Sequence, residues 1–301
     1  MKHPSGNKYQ VIGAMSGTSL DGIDLAAVEF IKAGDKWSFD LSATQTIPYP
    51  ADWQNRLRHA PELSAMELLL LHNAYGRFTG QKIKNFIGAA KFFPDIIASH
   101  GHTIFHQPEN HFTFQLGNGA AIAAETEITT IADFRTADVA LGGQGAPLVP
   151  VGDRFLFGEF EACLNLGGFA NISFEKNTQR VAFDVCPANF ILNLLSENEG
   201  LSYDKDGRLG REGTIENSLL QNLNHLPFYH EKPPKSLGRE WMEACFLPVM
   251  NAATISNRDK LRTAYEHIAL QVTRALPGKE KILVTGGGAL NAFLMERIKS
   301  L

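Results

Sequence analysis

Within the nine residues Ser16–Asp24 stand three hydroxyls, Ser16, Thr18 and Ser19, and two carboxylates, Asp21 and Asp24, with Gly17 and Gly22 among them and Gly13 just before. Backbone N–H groups of such a glycine-rich turn form an anion-binding concavity. The hydroxyls can donate to phosphate oxygens, and Asp21 or Asp24 can hold Mg²⁺ directly or through its waters. The plain alternative is an ordinary hairpin, since Asp21-Gly22 alone is a common two-residue turn; such a turn, however, has no need of so many hydroxyls and acids. Asn165-Leu-Gly-Gly-Phe-Ala-Asn171 is a second turn of this kind, carrying Asn165, Gly167 and Gly168. A third glycine run, Gly286, Gly287 and Gly288, follows Thr285 and opens a helix. Three glycines often do no more than join strand to helix, so this run gains its meaning from the two earlier turns.

Two further stretches could carry chemistry. Asp184, in Val181-Ala-Phe-Asp-Val-Cys-Pro-Ala-Asn189, comes at the end of a strand-like run, where a carboxylate can take a proton from an attacking water. The competing reading makes Asp184 a cap on a helix that begins near Pro187. Ser99-His-Gly-His-Thr-Ile-Phe-His106 groups His100, His102 and His106 after a buried strand and invites a metal-dependent hydrolase reading. A fourth ligand has no obvious place, and the strand pattern is not that of a barrel.

These residues need elements to position them. The runs 9–15, 23–31 and 37–47 alternate or run apolar with β-branched and aromatic residues, which predicts an antiparallel meander. Helical spacing of Leu63, Met66, Leu69, Leu70, Ala74, Phe78, Ile83 and Phe86 predicts a helix over 62–87, followed by a short strand at 95–98, a helix at 120–125 and a strand at 128–132. The same order then recurs, with strands at 162–166, 170–174 and 181–185, helices, a strand at 281–285 and a helix from Ala289. The segment 227–236, with Pro227, Pro233 and Pro234, reads as a loop. This internal duplication predicts two α/β halves whose glycine turns face each other across a cleft and grip one polyphosphate. The first half is expected to end where Leu141-Gly-Gly-Gln-Gly-Ala-Pro147 breaks regular structure, giving lobes 1–148 and 149–301. At 44% hydrophobic and 20% charged residues the 301-residue chain has the composition of a soluble globular protein. A formal net charge of −4 leaves no basic footprint for nucleic acid. No run has membrane-spanning length or signal-peptide form, so the expected location is cytoplasmic. Cys163, Cys186 and Cys245 lack metal-ligand spacing and read as free thiols in a reducing compartment.

Met15-Ser-Gly-Thr-Ser-Leu-Asp-Gly-Ile-Asp24 resembles the N-terminal signature of the anhydro-N-acetylmuramic acid kinases, which convert the 1,6-anhydro sugar of recycled peptidoglycan into its 6-phosphate. The resemblance extends over nearly the whole chain. Asp133-Phe-Arg135, Asp138 and Gly142-Gly-Gln-Gly-Ala-Pro-Leu148 match family elements at their spacing, while Pro234-Lys-Ser-Leu-Gly-Arg239 and Tyr203-Asp-Lys-Asp-Gly207 are similar to further family segments. It implies an actin-like sugar kinase fold, that is, duplicated ribonuclease H-like domains, with ATP and Mg²⁺ as cofactors. On this resemblance the planar fork of Arg135 suits the lactyl carboxylate of muramic acid, and Asp133 or Asp138 accepts from sugar hydroxyls or orients that arginine. The plain alternative is a surface pair of Arg135 with Asp138. The family's Ser-His-Gly-Gln-Thr stands here as Ser99-His-Gly-His-Thr103, so the segment reads as a polar substrate-contacting loop. Gly101 would allow backbone to approach the ligand, and His100 and Thr103 would supply hydrogen bonds.

The resemblance also implies a mechanism. Asp184 of the Phe-Asp-x-Gly-Pro-Gly-Asn motif deprotonates water, the water attacks the anomeric carbon, and the released O6 takes the γ-phosphoryl group of Mg²⁺-bound ATP. Cys186 and Ala188 replace two glycines of that motif and Asn193 an aspartate. Two other classes therefore stand beside the kinase: a binding protein without turnover, and the histidine-rich hydrolase. Roles for Lys235 and Arg239 stay open. The second half counts one strand fewer than the first, which leads to the expectation of a shortened gene product or an open edge closed against a partner chain, a homodimer being one form.

Overall fold

Alternation along the first two strands decides what they bury. In β1 (Lys8–Ser16) the inward residues are Ile12, Ala14 and Ser16, and in β2 (Gly22–Ala33) they are Ile23, Leu25 and Ala27. The computed structural model describes residues 7–17, 20–276, 278 and 280–301. It contains two compact units, Met1–Leu148 and Val149–Leu301.

In the first unit β2 turns antiparallel into β3 (Lys36–Pro48), then α1 (Ala51–Arg58) and α2 (Ala65–Ala90) follow. Next come β4 (Ile96–Gln107), β5 (Phe112–Leu116), α3 (Gly119–Thr126), β6 (Thr129–Ala132) and α4 (Thr136–Ala140). The sheet order is β3-β2-β1-β4-β5, with β6 also pairing β4. β4 runs parallel to β1 on one side and to β6 on the other. A capping box starts α2, in which Glu67 N–H donates to the Ser64 hydroxyl and Ser64 N–H donates back to the Glu67 carboxylate.

The predicted helix and strands appear close to their predicted bounds, with two differences. The buried stripe of α2 is Leu71, Tyr75, Thr79, Ile83 and Phe86, whereas Met66, Leu69 and Leu70 are exposed. Hydropathy favoured the aliphatic residues, but Tyr75 goes inward because its hydroxyl has a polar partner there. The second difference is the 99–106 segment, expected as a loop. It continues as strand, because Phe112–Leu116 pairs antiparallel with it in a hairpin.

The second unit repeats the plan. After α5 (Val149–Leu156) come β7 (Ala162–Leu166), β8 (Phe169–Lys176) and β9 (Gln179–Pro187) as an antiparallel meander. Then α6 (Asn189–Glu197), α7 (Arg208–Glu212), α8 (Asn217–Asn224), α9 (Arg239–Trp241), α10 (Leu247–Ala252) and α11 (Asn257–Ala275) precede β10 (Ile282–Thr285) and α12 (Ala292–Ser300). β10 runs parallel to β7, so the order β10-β7-β8-β9 repeats β4-β1-β2-β3. This meander with a parallel fourth strand is an α/β arrangement present in each unit, as the duplication in the sequence predicted. Leu164, Leu166, Ile172, Ile191, Leu195, Phe246, Tyr265 and Ile268 make up much of its core. Among the described residues no helix is long and apolar enough to cross a membrane.

Candidate active site

The first glycine-rich turn joins β1 to β2, and Thr18 and Ser19 lie outside the described residues. Ser16 ends β1 facing inward, 3% exposed. Tyr49 donates its phenolic hydrogen to Ser16 Oγ at 2.7 Å, and Ser16 Oγ lies 2.8 Å from His102 Nδ1. Tyr49 OH also bonds Tyr75 OH. Because the Tyr49 hydrogen goes to Ser16, the hydrogen-bond chain runs from Tyr75 through Tyr49 and Ser16 to an unprotonated His102 Nδ1. Burial, and secondarily neighbouring His100, hold His102 down at about 4, so the ring is neutral. Ser16, expected to donate to phosphate, is thus committed to an internal network. Gly22 likewise serves packing, since a Cβ there would fall 2.3 Å from the Ile47 carbonyl oxygen. Gly13 has open space before it. It lines a cavity of about 480 Å³ together with Asp24, Thr46, His100 and Phe134. Asp24 accepts from Thr46 Oγ1 at 2.6 Å, and Asp21 is exposed at the turn.

The sugar-binding candidates occupy β4 and the segment after β6. Gly101 adopts φ +74, and a Cβ there would meet the Leu116 carbonyl oxygen at 2.5 Å. Its close approach to the hairpin partner alone requires glycine at this position. His100 Nδ1 lies 3.0 Å from the Gly101 carbonyl, and its Nε2 accepts from Arg135 Nε at 3.1 Å and Nη2 at 2.8 Å. Both contacts together require a neutral ring with its hydrogen on Nδ1. Arg135 Nη1 donates to the Gly145 carbonyl at 2.6 Å, and Asp138 Oδ2 accepts from Gly145 N–H at 2.6 Å. Asp138 thus fixes the glycine loop that in turn holds Arg135, and no Arg135–Asp138 ion pair forms. Among the described residues Arg135 has no carboxylate partner, so a half-buried positive charge rests on neutral acceptors. His100 and Asp133 line a second cavity of about 170 Å³ with His72, Ser99 and Thr136. Thr103 stands in β4 opposite Gln115. His106 Nδ1 pairs with Thr113 Oγ1, so the three imidazoles of the segment each have separate partners. Among the described residues no group of three or more His, Cys, Asp or Glu side chains forms a metal site.

In the second unit Asp184 lies within β9, which runs on to Pro187, and is half-buried. Its Oδ2 accepts from Leu237 N–H at 2.8 Å, while Asp184 N–H donates to the Lys235 carbonyl at 3.0 Å. Burial raises its carboxyl above the usual range, and the Leu237 bond partly offsets this. The helix-cap reading does not hold: the N-cap of α6 is Ala188, with no side-chain cap bond. Instead the Gly167 and Gly168 carbonyls accept from the N–H groups of Ala188, Asn189 and Phe190, which caps α6 with the β7–β8 turn. Pro234–Arg239, whose roles the sequence left open, supplies the backbone that fixes Asp184. Lys235 itself donates its ammonium to the Phe228 carbonyl at 2.8 Å, and Arg239 pairs with Glu243.

Gly286, at φ +81, lies so close that a Cβ would fall 2.5 Å from Asn165 Oδ1 and 2.7 Å from the Leu166 carbonyl. Only glycine fits there, and the Gly286–Gly288 turn thereby stacks on the β7–β8 turn. Gly287 opens a cavity of about 480 Å³ with Asn189, Asn193, Tyr203, Lys205, Leu290 and Asn291. The side chains of Cys186 and Ala188, where the motif has glycines, are fully buried in the core.

The family model described as anhydro-N-acetylmuramic acid kinase matches residues 9–301. The chain belongs to the anhydro-N-acetylmuramic acid kinase family. A family relative from Mannheimia succiniciproducens is 37% identical, covering 98% of this chain and 84% of its own. One from Pseudomonas syringae pv. syringae is 38% identical over 96% of this chain and 83% of its own. Among solved structures, a ROK family glucokinase from Streptomyces griseus in complex with glucose and AMPPNP has a TM-score of 0.38 at 10% identity, covering 97% of this chain and 88% of that one. As a member of the anhydro-N-acetylmuramic acid kinase family, the chain keeps Asp184, Pro187 and Asn189 of the Phe-Asp motif. Its Cys186 and Ala188 side chains lie in the core of the second unit.

Proposed function

We propose that this chain is an ATP-dependent carbohydrate kinase that hydrolytically opens 1,6-anhydro-N-acetylmuramic acid and phosphorylates O6, giving N-acetylmuramic acid 6-phosphate in cytoplasmic peptidoglycan recycling. The observation that carries the reading is the setting of Asp184: one oxygen held by Leu237 N–H, the other without a partner among the described residues, in surroundings that strengthen its hold on a proton. Asp184 takes a proton from water, the water oxygen bonds to the anomeric carbon, and the bond from that carbon to O6 breaks with its electron pair on O6. O6 then bonds to the γ-phosphorus as the bond to the ADP oxygen breaks.

Arg135 is assigned to the lactyl carboxylate, since a half-buried guanidinium without a protein anion suits an anionic substrate. His100, Asp133 and Thr103 are assigned to sugar hydroxyls. In the first unit Gly13, Gly17, Thr18, Ser19 and Asp24 are assigned to the phosphates; in the second unit Asn165, Gly167 and Gly168 are assigned to the phosphates and Gly286–Gly288 to the adenosine side. Magnesium ion fits this donor set. A metal that binds largely through phosphates and retained waters needs one exposed carboxylate, which Asp21 provides, and not a dedicated cage. When bound, it neutralises phosphate charge. The test is conversion of the anhydro sugar with ATP and Mg²⁺, followed by mass spectrometry. Formation of the 6-phosphate supports the reading, and ATP turnover with the sugar unchanged opposes it.

A further inference from the structure

The register of the second sheet sets four polar residues in one row across all its strands. Thr285 pairs with Asn165, Asn165 with Asn171, and Asn171 with Asp184. Directly paired residues share a face, with Cβ atoms about 4.5–5.5 Å apart. In β7 the alternate residues Ala162, Leu164 and Leu166 belong to the core, so Asn165 and its row occupy the opposite face. A bulge at Val185 follows immediately, since Ala170 pairs with Cys186 while Asn171 pairs with Asp184. The bulge ends the row at Asp184 and returns Cys186 to the core. Asn171 is half-buried, and among the described residues its carboxamide makes no hydrogen bond. It does not brace Asp184, whose Oδ2 is held by Leu237 N–H from another segment. A half-buried amide without a protein partner, directly across from a carboxylate with one oxygen open, suits a molecule that can donate to both.

Water is that molecule in the proposed reaction. It has two hydrogens to give, and once both are fixed the remaining lone-pair direction is fixed with them. We propose that Asn171 is a catalytic residue of ring opening, its carboxamide oxygen accepting the second hydrogen of the water whose first hydrogen passes to Asp184. This inference rests on the kinase reading above. The second hydrogen stays on the oxygen that becomes the new anomeric hydroxyl, so Asn171 neither gains nor loses a proton. Its contribution is orientation of the nucleophile, for which misplacement by about an ångström costs on the order of a hundredfold in rate.

The test is steady-state kinetics of the full chain with ATP, Mg²⁺ and anhydro sugar, for wild type, Asn171→Ala and Asn171→Asp. Asn171→Ala is expected to lower kcat on the order of a hundredfold while KM for both substrates changes little. Asn171→Asp keeps an acceptor oxygen but sets a second carboxylate against Asp184. Its acid limb is expected to rise by about one pH unit or more, with kcat above that limb exceeding that of Asn171→Ala. Close to Asp184 are Cys186, kept as a thiol by burial, and Lys235, whose carbonyl accepts from Asp184 N–H and whose ammonium is engaged by the Phe228 carbonyl. A merely structural role for Asn171 would leave kcat of the folded Asn171→Ala near that of wild type, whereas the acid limb of Asn171→Asp reports that residue 171 faces Asp184. If Asn171→Ala fails to fold, Asn171→Leu, similar in volume and without an acceptor oxygen, takes its place with the same expected loss of kcat. Wild-type kcat in Asn171→Ala, or an unmoved acid limb in Asn171→Asp, overturns this inference and leaves the kinase reading standing. A wild type that forms no 6-phosphate overturns that reading and the inference with it.

Discussion

Replacing His102 by glutamine should remove a defined part of the acid sensitivity of the first unit. His102 is 3% exposed, and its Nδ1 accepts the Ser16 hydroxyl hydrogen at the end of the Tyr75–Tyr49–Ser16 chain. Protonating Nδ1 would set two donors against each other in a buried site, and burial itself resists the charge. The imidazole therefore falls from the ordinary 6.5 to about 4. A group with a lowered folded value gives stability that is full above pH 6.5 and declines as pH falls, because the unfolded chain takes up a proton that the folded chain refuses. The fall from 6.5 to about 4 corresponds to about 3 kcal/mol, lost by about pH 4. Glutamine keeps an acceptor for Ser16 and cannot titrate in this range. Urea denaturation from pH 7.5 to 4, followed by the fluorescence of Trp53 in the first core, measures the difference directly. His267, buried in the second unit and held down to about 3, contributes equally to both proteins and cancels. Relative to His102→Gln, the wild type should lose about 3 kcal/mol between pH 7 and 4. Parallel stability curves would refute the argument.

Other perturbations test the site. Asp184→Asn should lower turnover on the order of a hundredfold to ten-thousandfold with sugar and nucleotide affinity near normal, and unchanged product formation would move the base elsewhere. Because burial raises the Asp184 carboxyl, wild-type kcat should fall on the acid side at a pH above the ordinary 3.8 of an aspartate, an inflection absent from any residual activity of Asp184→Asn. Asp21→Ala should weaken Mg²⁺-ATP binding more than sugar binding by calorimetry; the reverse order would remove the turn from the nucleotide site. Arg135→Lys keeps the charge but cannot span both His100 and Gly145, so it should raise KM for the anhydro sugar roughly tenfold or more. An unaffected KM would detach Arg135 from the substrate.

Much of this architecture was legible because hydrophobic period and turn chemistry agree along the chain. The two meanders, the fourth strand of each and the duplication follow from alternating apolar runs bounded by glycine. What stayed hidden was polar residues acting inside the fold. Tyr75 displaces Leu70 from the buried stripe of α2 because three hydroxyls and one imidazole satisfy one another there, a condition no single-residue scale contains. The 99–107 strand was read as a loop because its histidines suggested ligand contacts, although Phe112-Thr-Phe-Gln-Leu116 carried the alternating signal of a partner. Asp184 stood out by its strand and motif, yet its support by Leu237 arises from a segment about fifty residues away, and spacing alone does not reveal such a contact. Asn171 was visible only as part of a glycine turn; its place opposite Asp184 depends on strand register.

The central claim is that one protein opens the anhydro ring and phosphorylates O6 through Asp184. Purified wild type and Asp184→Asn, each incubated with ATP, Mg²⁺ and 1,6-anhydro-N-acetylmuramic acid, should be compared by mass spectrometry of the sugar. The account predicts ATP-dependent appearance of N-acetylmuramic acid 6-phosphate with the wild type and its loss with Asp184→Asn. An unaltered anhydro sugar with the wild type, or equal product from both proteins, would contradict it.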